Sequence, residues 1–177
     1  MFNLESFVED CRAAVNEDPS HKMVSSVVNR ALSEPSDVLA TLGEPTESGM
    51  IPIYSSPNLT IVNVVWKPGM TLMPHNHEMW AVIGVYGGRE DNIFWRRIKG
   101  DAKGRIEAVG AKALSTGDTV PLGTDIIHSI VKNEPILIAE KCLHLGYIIG
   151  ILGQFLRVPF ATLNSEKVAA IYMDCAG

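Results

Sequence analysis

The part of the sequence that follows Gly43 constrains the fold most strongly. It contains short runs rich in Val, Ile, Thr and aromatic residues, separated by clusters of Gly, Pro, Asn and Asp. No long helical pattern lies between these runs, which disfavours a parallel sheet built from βαβ units. Many short, closely spaced strands are typical of a β-sandwich, a jelly roll or a small barrel. The predicted strands are 51–55, 59–66, 71–75, 79–86, 92–98, 106–114, 118–120, 127–131 and 136–144.

The first 43 residues have a different, helical pattern. Two apolar stripes with helical spacing are followed by Pro35, which favours the start of a third helix, and by Gly43, which favours its end. No linker-like stretch separates this segment from the strands. We therefore predict a helical segment over residues 1–43 that packs on a β-barrel domain over residues 44–177, as one structural unit. Within that domain, the tail after residue 144 has no assigned structure.

Charge and cysteine content exclude several classes of protein. The chain of 177 residues carries 15 basic and 20 acidic side chains, a formal charge of −5, with no basic run that would suit nucleic acid or an anionic membrane. Its three cysteines, Cys11, Cys142 and Cys175, are too widely spaced to suggest a disulfide framework or a metal knuckle. No signal-like or membrane-spanning pattern is evident, so we expect a cytoplasmic protein.

A pair of histidines is the strongest chemical signal in the sequence. His75 and His77 lie in the run Met73-Pro74-His75-Asn76-His77. In a strand, residues two apart share a face and lie about 6.5–7 Å apart along the chain, close enough to bind one ion. Two histidines on an exposed strand edge are the alternative interpretation. A third histidine, His128, follows a later predicted turn.

The spacing of these histidines resembles the two cupin motifs. Gly69, His75 and His77 fit the beginning of G-x5-H-x-H-x(3,4)-E-x6-G, and the later Gly117 and His128 resemble the second motif, which ends near Asn133. The resemblance implies a mainly β fold, the cupin double-stranded β-helix or jelly-roll barrel, with the N-terminal helices packed on it. It also implies that His75, His77 and His128 bind one metal ion.

The acidic ligand of the first cupin motif is absent. Ala81 and Val82 stand where the motif has its glutamate. Glu78 follows His77 directly and, in a strand, would point to the opposite face, so we do not count it as a ligand.

A three-histidine site without a carboxylate resembles the cysteine dioxygenase family of thiol dioxygenases. Residues 74–92 are similar to the bacterial branch of that family. The resemblance implies Fe(II), a small-molecule thiol and O₂ as partners, and oxidation of the thiol to a sulfinate. Zn, Ni or Mn are alternative metals, since three imidazoles also suit zinc. A homodimer is among the expectations for a cupin.

The family also has a Ser-x-His-x-Tyr arrangement near its substrate. His144 matches the histidine, Cys142 replaces the serine, and Gly146 stands at the tyrosine position, with Tyr147 one residue later. The resemblance makes His144, with Tyr147, a candidate for orienting the substrate. A core histidine without a catalytic role is the alternative for His144.

The arginine with which amino-acid-specific members bind the substrate carboxylate is also absent. Its place falls at Tyr54-Ser55-Ser56, so the identity of the thiol is left open. Arg89 is the best spare cation for binding a substrate anion, and a turn residue paired with Glu90 or Asp91 is its other interpretation.

The residues and the resemblance together leave three functions open. The leading one is a mononuclear iron dioxygenase that acts on a small thiol. The second is another metal-dependent cupin enzyme, and the third is a cupin that binds a small molecule without catalysis.

Overall fold

Three helices form the N-terminal segment. The structure, a computed structural model, describes residues 1–66 and 70–131 with their side chains and residues 146–152 as backbone. The helices are α1 (Leu4–Glu17), α2 (His21–Ala31) and α3 (Pro35–Leu42). None of these described helices has the length and apolar character needed to cross a bilayer.

Local sequence signals explain where the helices begin and end. The side chain of Asn3 accepts a hydrogen bond from the Ser6 amide at 2.8 Å and so caps α1. Ser20 caps α2 in the same way. Pro35 occupies the first turn of α3, and Gly43 ends that helix at a φ of 79°, a conformation that glycine adopts at little cost. These ends agree with the predicted helical segment.

The rest of the described chain forms nine strands. Eight of the nine predicted strands overlap these, with ends that differ by a few residues, while the ninth prediction, 136–144, lies outside the described residues. The last described strand lies in the glycine-containing stretch that had no assignment. The strands are β1 (Gly49–Ser56), β2 (Leu59–Trp66), β3 (Thr71–His75), β4 (Ala81–Gly87), β5 (Arg89–Arg97), β6 (Ile106–Ser115), β7 (Thr119–Leu122), β8 (Ile127–Val131) and β9 (Gly146–Leu152).

The strands are arranged in two antiparallel sheets. One has the order β1-β2-β9-β4-β7 and the other β3-β8-β5-β6. Strands that are neighbours in a sheet are mostly distant in sequence, and the chain passes repeatedly from one sheet to the other, which is the arrangement of a jelly roll. The mainly β double-stranded β-helix is confirmed.

The five-stranded sheet is apolar on both faces. On its outer face, Leu59, Ile61 and Val82 are buried against side chains of the helices, such as Phe7 and Val28. The alternate residues of this sheet, together with Leu114 of the four-stranded sheet, form a second core inside the barrel. That inner core contains Val62, Val64, Ala81, Ile83, Val85, Leu114 and Leu122. The predicted packing of the helices on the barrel is confirmed, and the division at residue 43 into a segment and a domain stays a prediction.

Candidate metal centre

Three imidazoles meet in the structure. His75 is the last residue of β3 and lies opposite His128 of β8 in the antiparallel pair. His77 follows two residues after the end of β3, and its ring centroid lies 5.0 Å from that of His75 and 5.2 Å from that of His128. One ring nitrogen from each histidine lies within 4.8 Å of those of the other two. The predicted convergence of these three residues is therefore present.

The reason for the convergence differs from the predicted one. The spacing of His75 and His77 predicts two side chains on one face of a strand, but β3 ends at His75. Glu78 then has a φ of 53°, in the left-handed region that few residues other than glycine adopt. The pairing of β3 with β8 brings His75 to His128, and His77 joins them from just beyond the end of the strand. Glu78 is exposed and is not part of the cluster, as expected.

The distances suit a bound divalent metal ion. His77 Nε2 and His128 Nε2 are 3.0 Å apart. Two nitrogen ligands at right angles, each about 2.1 Å from a metal ion, are separated by about 3 Å. Imidazole is a ligand that iron, zinc and nickel all accept. The three residues therefore fit a metal ion, and their geometry does not select which one.

Burial keeps these imidazoles neutral. Removal from water lowers the pKa of His75, although the Met73 carbonyl opposes this by accepting a hydrogen bond. Burial, with a smaller contribution from His75, lowers the pKa of His77 to about 4. Burial, followed by the effects of the other two imidazoles, lowers the pKa of His128 to about 3. At neutral pH each ring therefore retains a lone pair that can bind a cation.

Hydrogen bonds on the far side of two rings select the nitrogen that faces the cluster. His75 Nδ1 donates to the Met73 carbonyl oxygen at 2.8 Å, because a carbonyl can only accept. His128 Nδ1 lies 2.8 Å from Asn92 Oδ1, which likewise accepts. In both residues Nε2 is left unprotonated for a metal ion. Contacts of this type are common around metal-binding histidines.

Sequence reasoning missed the residues behind His128. Asn92 and Glu90 alternate on β5 and point into the barrel, where each is 1% exposed. Both contribute to hydrogen bonds that connect Trp66 with the cluster. Two polar residues at alternating positions are an available sequence signal. However, a solvent-facing side of a strand has the same pattern, so the signal is ambiguous without the structure.

Arg89, the predicted partner of a substrate anion, is not brought to the cluster. Its side chain is 64% exposed and its Nε donates to Asp91 Oδ1 at 2.8 Å. Since neighbours in a strand alternate between faces, Arg89 lies on the side opposite to Glu90, whose side chain points inward. The substrate-binding role of Arg89 stays a prediction.

The other predicted residues are described only in part. His144 and Cys142 lie outside the described residues, as do Gly69 and Asn133 of the two motifs. Tyr147 lies on β9, opposite Val65 of β2 and Gly87 of β4. The roles of His144 and Tyr147 therefore stay predictions.

The comparisons with known proteins found matches among solved structures. No family model and no curated protein matches the sequence. Solved structures with a similar fold include cupins. An RmlC-like cupin from Methanocaldococcus jannaschii is 8% identical, with a TM-score of 0.47, over 63% of this chain and 84% of that one. A cupin 2 conserved barrel domain protein from Leptotrichia buccalis is 18% identical, with a TM-score of 0.46, over 66% of this chain and 46% of that one.

An enzyme is also among these similar structures. The DMSP lyase from Ruegeria pomeroyi is 12% identical, with a TM-score of 0.46, over 63% of this chain and 49% of that one. This chain thus spans about half the length of that enzyme. At such low identity, what the site can do depends on its own residues and distances.

Proposed function

We propose that this protein is a metal-dependent enzyme that uses Fe(II) to dioxygenate a small thiol. The observation that carries the proposal is the meeting of His75, His77 and His128 as neutral ligands. In the described part of the chain, no carboxylate joins them. This agrees with the donor set that the sequence motifs imply for a thiol dioxygenase.

The protein would bind iron through three histidines and place it in a largely buried site. When bound there, Fe(II) would supply open coordination positions for a thiolate and for O₂. The net reaction converts RSH and O₂ to RSO₂H, so the thiol sulfur loses four electrons, O₂ gains them, and no further reductant is needed. The three imidazoles are neutral, so they would not offset the positive charge of the metal ion. That charge would then attract an anionic substrate such as a thiolate.

His144 and Tyr147 are the proposed residues for orienting the substrate, on the strength of the sequence motif alone. The thiol itself is open, because the motif position for the carboxylate-binding arginine is occupied by Tyr54-Ser55-Ser56. Arg89, in its ion pair with Asp91, is a weaker candidate for that role. We also propose that the protein acts in the cytoplasm.

Metal content and oxygen consumption test the proposal. The protein is purified, its bound metals are quantified, and it is loaded anaerobically with Fe(II). O₂ uptake is then followed with cysteine, cysteamine and 3-mercaptopropionate, and the sulfinate is measured by mass spectrometry. We expect one iron per chain and one sulfinate formed per O₂ consumed, with both activity and iron lost in His77→Ala. Iron-loaded protein without O₂ uptake on any of the three thiols would contradict the proposal.

A different metal enzyme is the second candidate, and one observation favours it. The same three neutral imidazoles are also the protein ligand set of catalytic zinc, which takes a water molecule as its fourth ligand. In that case the purified protein would contain zinc, and O₂ uptake would not respond to thiols. A protein that still binds a small molecule after His77→Ala has removed the metal would instead indicate a binding function without catalysis.

A further inference from the structure

We propose that Trp66, Glu90 and Asn92 form a positioning chain that holds His128 in the one tautomer able to bind the metal. The inference rests on the proposed metal centre and concerns residues that no sequence motif assigned. It assigns them to preparing a metal ligand and not to contact with the substrate.

A continuous series of short hydrogen bonds connects these residues. Trp66 Nε1 donates to Glu90 Oε2 at 3.0 Å, and Asn92 Nδ2 donates to Glu90 Oε1 at 2.7 Å. His128 Nδ1 then contacts Asn92 Oδ1 at 2.8 Å. Glu90, Asn92 and His128 are each 1% exposed, so bulk water cannot substitute for a missing partner.

The chemistry of each group sets which side donates in every hydrogen bond of the positioning chain. The indole of Trp66 can only donate, and it faces one carboxylate oxygen of Glu90. The other Glu90 oxygen accepts from the amide NH₂ of Asn92, which turns the amide oxygen towards His128. That oxygen can only accept, so the ring proton of His128 must be on Nδ1. Nε2 then carries the lone pair of the ring and, without a metal ion, can accept a hydrogen bond from His77 Nε2, 3.0 Å away.

The positioning chain also connects the two sheets of the barrel. Trp66 belongs to the five-stranded sheet, whereas Glu90, Asn92 and His128 belong to the four-stranded sheet. The bond from Trp66 to Glu90 therefore crosses the barrel and ties this ligand to both sheets.

Replacement of Glu90 with its isosteric amide separates this role from simple packing. In Glu90→Gln, the new side chain offers one oxygen and one NH₂ to two donors. Either the NH₂ faces the indole N–H of Trp66, or it faces Asn92 and turns that amide over. The second arrangement presents an NH₂ to His128 and shifts the ring proton to Nε2, where the metal has to bind. Outer partners of metal ligands typically contribute about 10–100-fold to metal affinity.

Titration with Co²⁺, followed by its visible absorption, measures the effect without any turnover. We expect Glu90→Gln to bind Co²⁺ about 10–100-fold more weakly than the wild type. In the background of Trp66→Phe the conflicting donor is gone, and the glutamine can turn its oxygen to Asn92. There the same substitution should weaken Co²⁺ binding by less than about threefold, which is a coupling that a packing defect would not produce.

Tyr86→Phe is the matched control. Tyr86 donates to Asn63 Oδ1 at 2.7 Å in another buried hydrogen bond. Tyr86 packs with the helices on the outer face of the five-stranded sheet, away from the barrel interior. This variant should lose stability but keep the Co²⁺ affinity of the wild type.

The tautomer can also be observed directly in the wild-type protein. In metal-free protein labelled with ¹⁵N on histidine, the ring nitrogens of His128 should show a proton on Nδ1 at pH 7. A proton on Nε2, or unchanged Co²⁺ affinity in Glu90→Gln, would overturn the inference while leaving the metal centre intact. Failure of the wild-type protein to bind Co²⁺ at one per chain would instead refute the proposed function.

Discussion

Gly84 marks the closest approach of the helices to the barrel and provides a sharp test of how they pack. A Cβ atom at this position of β4 would lie 2.6 Å from Val28 Cγ1 and 2.8 Å from Leu32 Cδ1. Carbon atoms in favourable contact are about 3.5–4.0 Å apart, so Gly84→Ala requires the end of α2 to move by roughly 1 Å. Val28 and Leu32 are 1% and 4% exposed, so neither can turn into open space.

The magnitude follows from the two opposing effects of the added methyl group. Overpacking of a dense core costs about 1–3 kcal/mol. Alanine in a strand regains about 0.5–1 kcal/mol relative to glycine, because the unfolded chain is less flexible. The difference between the two effects lies between about 0 and 2.5 kcal/mol. Because two side-chain atoms stand closer than 3.0 Å to the added Cβ atom, we expect Gly84→Ala to lower the free energy of unfolding by about 1–2 kcal/mol.

Urea denaturation measures this change, with far-UV circular dichroism reporting the helices and tryptophan fluorescence reporting tertiary structure. Trp80 is a useful probe, since its Nε1 donates to the Pro19 carbonyl at 2.7 Å in the turn before α2. Gly110→Ala in β6 is the control, because a Cβ there would meet no atom within 4 Å. It should keep or slightly increase the stability of the wild type.

A second substitution on the helix distinguishes overpacking from other effects. Val28→Ala removes the atom closest to the new methyl group, so the double variant with Gly84→Ala should be more stable than the two single changes predict when added. The close packing of α2 on Gly84 would be refuted if Gly84→Ala were as stable as the wild type, or if the effects of Gly84→Ala and Val28→Ala on the free energy of unfolding simply added. Separate transitions for the two probes would refute the prediction that segment and barrel form one structural unit.

The remaining predictions concern the candidate site and the buried thiol. Glu78→Gln should retain bound metal while His77→Ala loses it, as measured by metal analysis; loss in both would make Glu78 a ligand. The metal-free protein should be most stable above about pH 6.5 and become less stable as the pH falls. The reason is that the histidines of the unfolded chain bind protons at the ordinary pKa of about 6.5, whereas burial lowers the pKa of folded His77 to about 4 and that of folded His128 to about 3. Urea denaturation at several pH values tests this, and His128→Gln should show a weaker dependence. Burial raises the pKa of the Cys11 thiol to about 12, so iodoacetamide at pH 8 should label Cys11 only after unfolding, as detected by peptide mass spectrometry.

The elements themselves could be predicted because the signals that specify them are local. Alternating apolar residues and turn clusters placed eight strands, and Pro35 and Gly43 marked the last helix. The strand β9 was harder to predict, because its glycines weaken the local preference for strand. It forms between β2 and β4, and those partners supply the pairing that its own sequence signals poorly.

The site could be predicted only as a set of residue types. The spacing of His75 and His77 indicated a ligand pair, although the turn at Glu78 was not foreseen. The positioning chain behind His128 could not be predicted, since nothing in the local sequence distinguishes Glu90 and Asn92 from polar residues that face water. Their inward direction depends on how the two sheets enclose the barrel.

The sequence by itself therefore determined the positions of most helices and strands, the chemistry of the three imidazoles, and the absence of an acidic ligand at Ala81 and Val82. The tertiary structure decided which strands pair, and so which side chains meet. His75 and His128 are opposite each other only because β3 and β8 pair in one register across the intervening chain. Side-chain alternation is a property of a few neighbouring residues, whereas register between distant strands is selected by the packing of the whole core.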